Sequence, residues 1–252
     1  MKWIDIKEIL DEQFPTEGAM IGDIIGEQYK CPEEVTKVLV TLDVTLNVIA
    51  QAKEIGAQAI ISHHPFYWGE DREESISKNW ILKSINNLLV KTGIGLYTAH
   101  TNADYASNSL AYMQAIAIDL ENIDQNDQNL SVSGYLKEEI PLSELVQIFR
   151  EKYELKDFPF RTNVDPETLI KKITFATGTA GEYGINLLDN EALHVIGEIK
   201  HHEWVQANQA GVKLLELTHF SETIFKSMVK VLLDGQDVEV EMSNEQNGYK
   251  II

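Results

Sequence analysis

Apolar residues recur at helical spacing at Trp3, Ile6, Ile9, Leu10 and Phe14 until Pro15 breaks the pattern, which predicts a first amphipathic helix. A glycine-bearing stretch through Gly18, Gly22 and Gly26 is expected to be loop, and the run Val38–Val44 (VLVTLDV) is short and β-branched, as a buried strand is. The pattern then becomes regular. A helix is predicted over Thr45–Ile55 and closed by Gly56, a strand at Ala59–Ser62, a helix over Trp80–Thr92 closed by Gly93, and a strand at Ile94–Thr98. Further on come a strand at Ser131–Leu136, a helix at Leu142–Tyr153, a strand at Ile170–Thr177 and a Gly-rich turn at Gly178–Gly184. The chain then predicts a strand at Leu193–Ile196, a helix at Glu203–Ala210 closed by Gly211, a strand at Lys213–Thr218, a helix at Glu222–Leu233 and a last strand at Val238–Met242. Such alternation predicts an α/β fold of largely parallel sheets with helices on their faces. The acidic, Asn- and Gln-rich segment 121–129 (ENIDQNDQN) is the expected boundary, dividing the chain into halves 1–128 and 129–252.

The halves echo one another. Aligning Ala52-x-x-x-Gly56-Ala57 with Ala207-x-x-x-Gly211-Val212 brings Ile60 onto Leu215 and His64 onto His219. A pseudo-duplicated pair of α/β subdomains would leave this trace.

Composition narrows the function. A net charge of −19 repels phosphate backbones and anionic lipid surfaces, so neither a nucleic-acid partner nor a membrane is expected. The single cysteine, Cys31, rules out an internal disulfide, and the N-terminus mixes acids with apolar residues where a leader would carry basic and then greasy residues. A cytoplasmic protein is expected. No run of eighteen apolar residues offers a membrane span.

Four strand ends carry histidine: His63 and His64, His100, His201 and His202, and His219. The carboxyl ends of parallel strands share one edge, where ligands bind in open sheets, so histidines distant in sequence can meet there. Carboxylates accompany them at Asp104, Glu203 and Glu222. Imidazole nitrogen with carboxylate oxygen suits zinc, iron, manganese, cobalt or nickel rather than magnesium or calcium. Neighbouring residues on a strand face opposite ways, so His63 and His64 suit two ions better than one. If Glu222 lies one turn from His219, its two oxygens can bridge ions roughly 3.5 to 4 Å apart. His201 and His202 either line the pocket, act as acid or base, or simply start a helix. His194, inside an apolar strand, is read as structural. Asp43 is either a partner behind the site or, as favoured, a cap of the following helix. Gly178-x-x-Gly181-x-x-Gly184 has neither phosphate-loop nor dinucleotide spacing and is read as a turn. Tyr67 and Trp68 either fold over the site or serve as packing anchors.

Three segments in order, VLVTLDVTLNVIAQAKEIGAQAIISHHPFYWG, GIGLYTAHTNADYA and IGEIKHHEWVQANQAGVKLLELTHFSE, resemble the NIF-three-like family, often labelled GTP cyclohydrolase 1 type 2 homologues. The resemblance covers nearly the whole chain, in the short form without a middle insertion. It implies two intertwined α/β subdomains with mixed, largely parallel sheets, a dinuclear metal centre and a hollow homohexamer. Its metal ligands fall on His63 and His64, on Asp104, and on His219 and Glu222, with Glu222 shared by both ions. The chain departs from the family pattern at Ile21-Gly22-Asp23-Ile24, at Asn108–Tyr112, and at Thr218, where the family has glycine.

The leading expectation is metal-assisted hydrolysis of a small anionic substrate, nucleotide-like or a cyclic amide, with His100, His201 or His202 moving protons. GTP ring opening is the version carried by the family label. The competing reading is a non-catalytic metal-binding or regulatory protein.

Overall fold

The computed structural model describes residues 1–126, 131–153, 155, 158–179 and 189–246. From the N-terminus the chain forms α1 (Trp3–Gln13), β1 (Gly26–Tyr29), β2 (Lys37–Thr41), α2 (Leu46–Ile55), β3 (Ala59–Ser62), α3 (Arg72–Lys78), α4 (Trp80–Thr92), β4 (Gly95–Thr98) and α5 (Thr101–Asp104). It continues with α6 (Leu110–Ala117), β5 (Glu121–Asn126), β6 (Ser131–Pro141), α7 (Leu142–Lys152), β7 (Arg161–Thr162), β8 (Leu169–Thr179), β9 (Leu193–Glu198), α8 (His201–Ala210) and β10 (Lys213–Glu216). A 3-10 turn at His219–Thr223 leads into α9 (Ile224–Leu232) and β11 (Glu239–Met242).

Two units result, each with its own sheet. The first is Met1–Ala106 together with Phe225–Asn247, and the second is built on Ser107–Ile224. The chain leaves the first unit after Ala106 and returns to it at Phe225, and the expected division at 128–129 lies outside the described residues. Within the polar segment read as the boundary, Glu121–Asn126 form a strand, β5, paired antiparallel with β6. Its polar side chains fit an edge strand, which has only one neighbour to pack against.

In the first unit the strand order is β1-β4-β3-β2-β11; β1 is antiparallel and the other pairings are parallel. Leu39, Ile60 and Leu96 stand in register across β2, β3 and β4. They form one layer with Val48, Ile49 and Ala52 of α2 and Ile85 and Leu89 of α4. The other face carries Tyr97, whose ring meets Trp3 of α1 and whose hydroxyl donates to Asp11 at 2.7 Å. Phe225 of α9 packs against Phe14, with ring centroids 5.9 Å apart. Strand β1, polar and glycine-led, lies in the stretch expected to be loop.

In the second unit the order is β5-β6-β8-β9-β10-β7, with β8, β9 and β10 parallel and the outer pairings antiparallel, so this sheet is mixed. Val132, Phe175, Val195 and Leu215 line up across four strands and meet Leu145 and Phe149 of α7. Ala176, Ile196 and Leu214 on the opposite face meet Ala207 of α8.

The sequence echo has a structural counterpart. Helices α2 and α8 both end in a left-handed glycine, Gly56 and Gly211, where only a residue without Cβ is unstrained. Each turn is closed by the same bond, Ala57 N–H to Ala52 O at 2.8 Å and Val212 N–H to Ala207 O at 2.9 Å. Each then feeds a parallel strand, β3 or β10, that is followed within three residues by the aligned histidine, His64 or His219.

Candidate metal centre

Ser62 and Thr98 are register partners at the last positions of β3 and β4, and their hydroxyls meet at 3.0 Å. Backbone pairing continues past the strand ends: Ala99 N–H donates to Ser62 O, His63 N–H to Thr41 O and His64 N–H to Leu42 O. This brings the residues that follow β2, β3 and β4 to one edge, the carboxyl edge of the parallel strands.

There the three histidines of the first unit form a cluster. Ring centroids of His63 and His64 are 5.0 Å apart, those of His63 and His100 5.3 Å, and those of His64 and His100 5.7 Å. Each offers one nitrogen within 4.8 Å of the others. The expectation that adjacent histidines point to opposite faces does not hold, because the chain bends at His63 and His64 after the strand has ended at Ser62. Asp104, closing the short helix α5, offers a carboxylate oxygen within 4.8 Å of a His63 nitrogen.

Every one of these rings is held at Nδ1 by an oxygen. His63 Nδ1 donates to the carbonyl of Ala99 at 2.8 Å, His64 Nδ1 to Asp43 at 2.9 Å, and His100 Nδ1 to both oxygens of Asp23 at 2.9 Å. A carbonyl or carboxylate can only accept, so the proton sits on Nδ1 and the lone pair is on Nε2, the form in which imidazole binds a metal. Burial works against a charged Asp23, yet the hydrogen bonds it accepts from His100 and Thr101 outweigh it and hold the carboxyl well below the usual carboxylate range. Asp43 is not the helix cap; Thr45 fills that place, accepting from Val48 N–H at 3.2 Å. Asp43 backs His64 instead. Trp68, 58% exposed, stands edge-on to His100 at 5.1 Å and 6.5 Å from His64.

In the second unit, β9 and β10 end side by side at Glu198 and Glu216. The turn that follows β10 places His219 Nε2 3.0 Å from Glu222 Oε2, and Glu198 faces His219 Nδ1 at 3.3 Å. Glycines clear the space: a Cβ on Gly178 would lie 3.4 Å from Glu222 Oε1, and one on Gly197 would fall 2.7 Å from the Gly178 carbonyl oxygen. Thr218, just before His219, has φ 80° and ψ 151°, a conformation that glycine alone adopts without strain.

His201 and His202 are exposed in the first turn of α8, and among the described residues they join no His/carboxylate grouping. His194 is buried in β9, with Nε2 donating to the Asp189 carbonyl at 2.5 Å, in keeping with a structural role. Of the Gly-rich turn, Gly178 and Thr179 end β8 and the rest lies outside the described residues. Sequence reasoning gave no role to Asp23, Glu198 or Glu245. Asp23 carried a signal, being an acid in a glycine loop at a place where the chain departs from its family's pattern.

Imidazoles clustered at the carboxyl edge of a parallel sheet, backed by carboxylates and carbonyls, make a candidate metal-binding site in an α/β protein, and the donor set fits transition metals. The chain belongs to the Duf34/NIF3 (NGG1p interacting factor 3) family, whose model matches residues 1–248. A "GTP cyclohydrolase 1 type 2 homolog" of Mycoplasmopsis pulmonis is 30% identical over 232 residues, spanning 89% of this chain and 90% of the relative. Another of that name from Clostridium perfringens is 27% identical over 97% of both chains. Among solved structures, a Staphylococcus aureus hypothetical protein superposes with TM-score 0.86 at 24% identity over 100% of this chain and 99% of its own. Reduced HcgD from Methanocaldococcus jannaschii does so with TM-score 0.77 at 25% identity, over 97% and 98%. Among the described residues, no helix is long and apolar enough to cross a membrane.

Proposed function

We propose that His63, His64 and Asp104 of the first unit and His219 and Glu222 of the second are ligands of two divalent transition-metal ions, and that this centre hydrolyses a small anionic substrate. The observation that carries the reading is the common state of His63, His64 and His100: three clustered imidazoles, each with Nδ1 tied to an oxygen and Nε2 left as the basic nitrogen. His219 and Glu222, whose Nε2 and Oε2 stand 3.0 Å apart, supply a further nitrogen and oxygen. Zinc, iron, manganese, cobalt and nickel all accept this set. Bound there, such ions lower the pKa of water towards ~7 and polarise a phosphoester, amide or amidine.

The chain's own groups do the rest. Asp23 fixes the His100 ring through Nδ1, so Nε2 is the atom at which His100 takes and returns a proton. Trp68 shields the two rings it touches from bulk water. His201 and His202 act only as exposed proton carriers. The protein works in the cytoplasm as a homohexamer; the lone cysteine supports the first and the family resemblance the second.

The test is elemental analysis of purified protein followed by a panel of phosphomonoesters, nucleotides and cyclic amides, with formate release from GTP as one arm. Two ions per chain and turnover abolished by chelation are expected. Metal-loaded protein that turns over nothing leaves the non-catalytic reading, and light scattering at fewer than six chain masses overturns the hexamer.

A further inference from the structure

The Glu245 carboxyl has side-chain exposure of 6%, and a polar group buried so deeply is costly unless it is hydrogen-bonded. Its surroundings answer that cost. Oε1 accepts from Leu42 N–H at 2.8 Å and from the Ser243 hydroxyl at 2.7 Å, and faces Lys226 Nζ at 3.3 Å. Oε2 accepts from Asp43 N–H at 3.1 Å and from the Thr41 hydroxyl at 3.1 Å. Both peptide N–H groups of the Leu42–Asp43 turn therefore end on one side chain from beyond β11. That turn carries the Asp43 carboxylate, which holds His64 Nδ1 at 2.9 Å.

We propose that Glu245 is a positioning residue for the ligand His64, acting through the Leu42–Asp43 turn. The inference rests on the metal-binding reading above. After β2 ends at Thr41, Leu42 O still accepts from His64 N–H, but the N–H groups of Leu42 and Asp43 find their acceptors in Glu245, and the Asp43 side chain is half-exposed. Without Glu245 the turn loses both anchors and Asp43 no longer fixes which ring nitrogen of His64 bears the proton. The same returning segment also steadies His63, whose ring lies 5.3 Å from that of Phe225. Partners behind a metal-bound histidine typically contribute 10- to 100-fold in affinity.

The experiment is a double-mutant cycle on full-length protein, reading zinc affinity by competition with a chromogenic chelator. Glu245→Gln, which turns an amide towards two N–H donors, is expected to weaken zinc binding about tenfold and Asp43→Ala by tenfold or more. The double variant should match Asp43→Ala alone. In the metal-free protein, ¹⁵N shifts of the His64 ring should report loss of the single Nδ1–H tautomer in Glu245→Gln, a change that mere destabilisation does not produce. Thr41→Val, which removes one donor, gives a smaller shift in the same direction and serves if Glu245→Gln fails to fold. Unchanged zinc affinity and an unchanged His64 tautomer in a folded Glu245→Gln protein overturn the proposal, as does full additivity in the cycle. Wild-type protein that binds no zinc or other transition metal overturns the metal reading itself.

Discussion

The Nδ1 of His63 and the carbonyl of Ala99 are joined at 2.8 Å, so the residue that follows β3 is tied to the residue that follows β4. The bond directs the basic nitrogen of His63 and also sets the spacing between the HHP and HTNAD motifs. His63→Ala and Asp104→Ala should each reduce bound metal to less than half of the wild-type amount, measured by elemental analysis. His201→Gln and His202→Gln should leave it unchanged. Loss of metal in either of the latter would contradict the placement of these two side chains on an exposed helix turn.

Thr218 holds a backbone conformation suited to glycine, and its buried hydroxyl has no partner among the described residues. Glycine is ordinarily about 0.5–1 kcal/mol worse than alanine because the unfolded chain is freer. Here the order should invert. Thr218→Gly should exceed Thr218→Ala in stability by about 1–2 kcal/mol, since strain of about 1–3 kcal/mol at such a position outweighs the entropy. Urea midpoints of the two variants check this, and alanine equal to or above glycine would refute it.

Burial lowers the pKa of His194 below 6.5, against a smaller opposing effect of its bond to the Asp189 carbonyl. The unfolded chain therefore takes up a proton that the folded chain resists. The stabilisation is complete above pH 6.5 and is lost as pH falls through 6.5 towards the lower folded value, at up to about 1.4 kcal/mol per pH unit. Between pH 7.5 and 5.5 the urea midpoint of wild type should fall more steeply than that of His194→Gln. Carboxylates titrate alike in both proteins, so parallel curves would sink the prediction.

A Cβ added to Gly95 would come 2.2 Å from Cys31 Sγ and 2.6 Å from its Cα. The sulfur has no room to move, because Cys31 is buried, and burial also pushes its thiol pKa up. Gly95→Ala should cost about 3 kcal/mol or more, as overpacking of rigid surroundings does. In the wild type, Cys31 should react with a thiol reagent only on unfolding. Fast labelling of the native protein would contradict this.

Much of the secondary structure was legible. Helix α4 and strand β3 fall on the residues that periodicity and Gly caps predicted, and the helix ends at Gly56, Gly93 and Gly211 are left-handed turns as glycine implies. Edge strands β1 and β5 were not legible, because a strand with one neighbour has little apolar burial to impose alternation, and α6 was missed within a short stretch of mixed residues. The polar segment that opens with β5 has the same ambiguity: polar composition marks exposure, and an exposed edge strand shares it with a linker.

The sequence by itself named the candidate metal ligands, since the histidines and acids follow strand ends that local periodicity locates. Only the tertiary structure decided how those histidines are held. Asp43 meets Glu245 across 202 residues of chain, and Asp23 meets His100 across 77. Such partners depend on strand register and on the return of the chain to the first sheet. Periodicity, a signal a few residues long, carries no information about either.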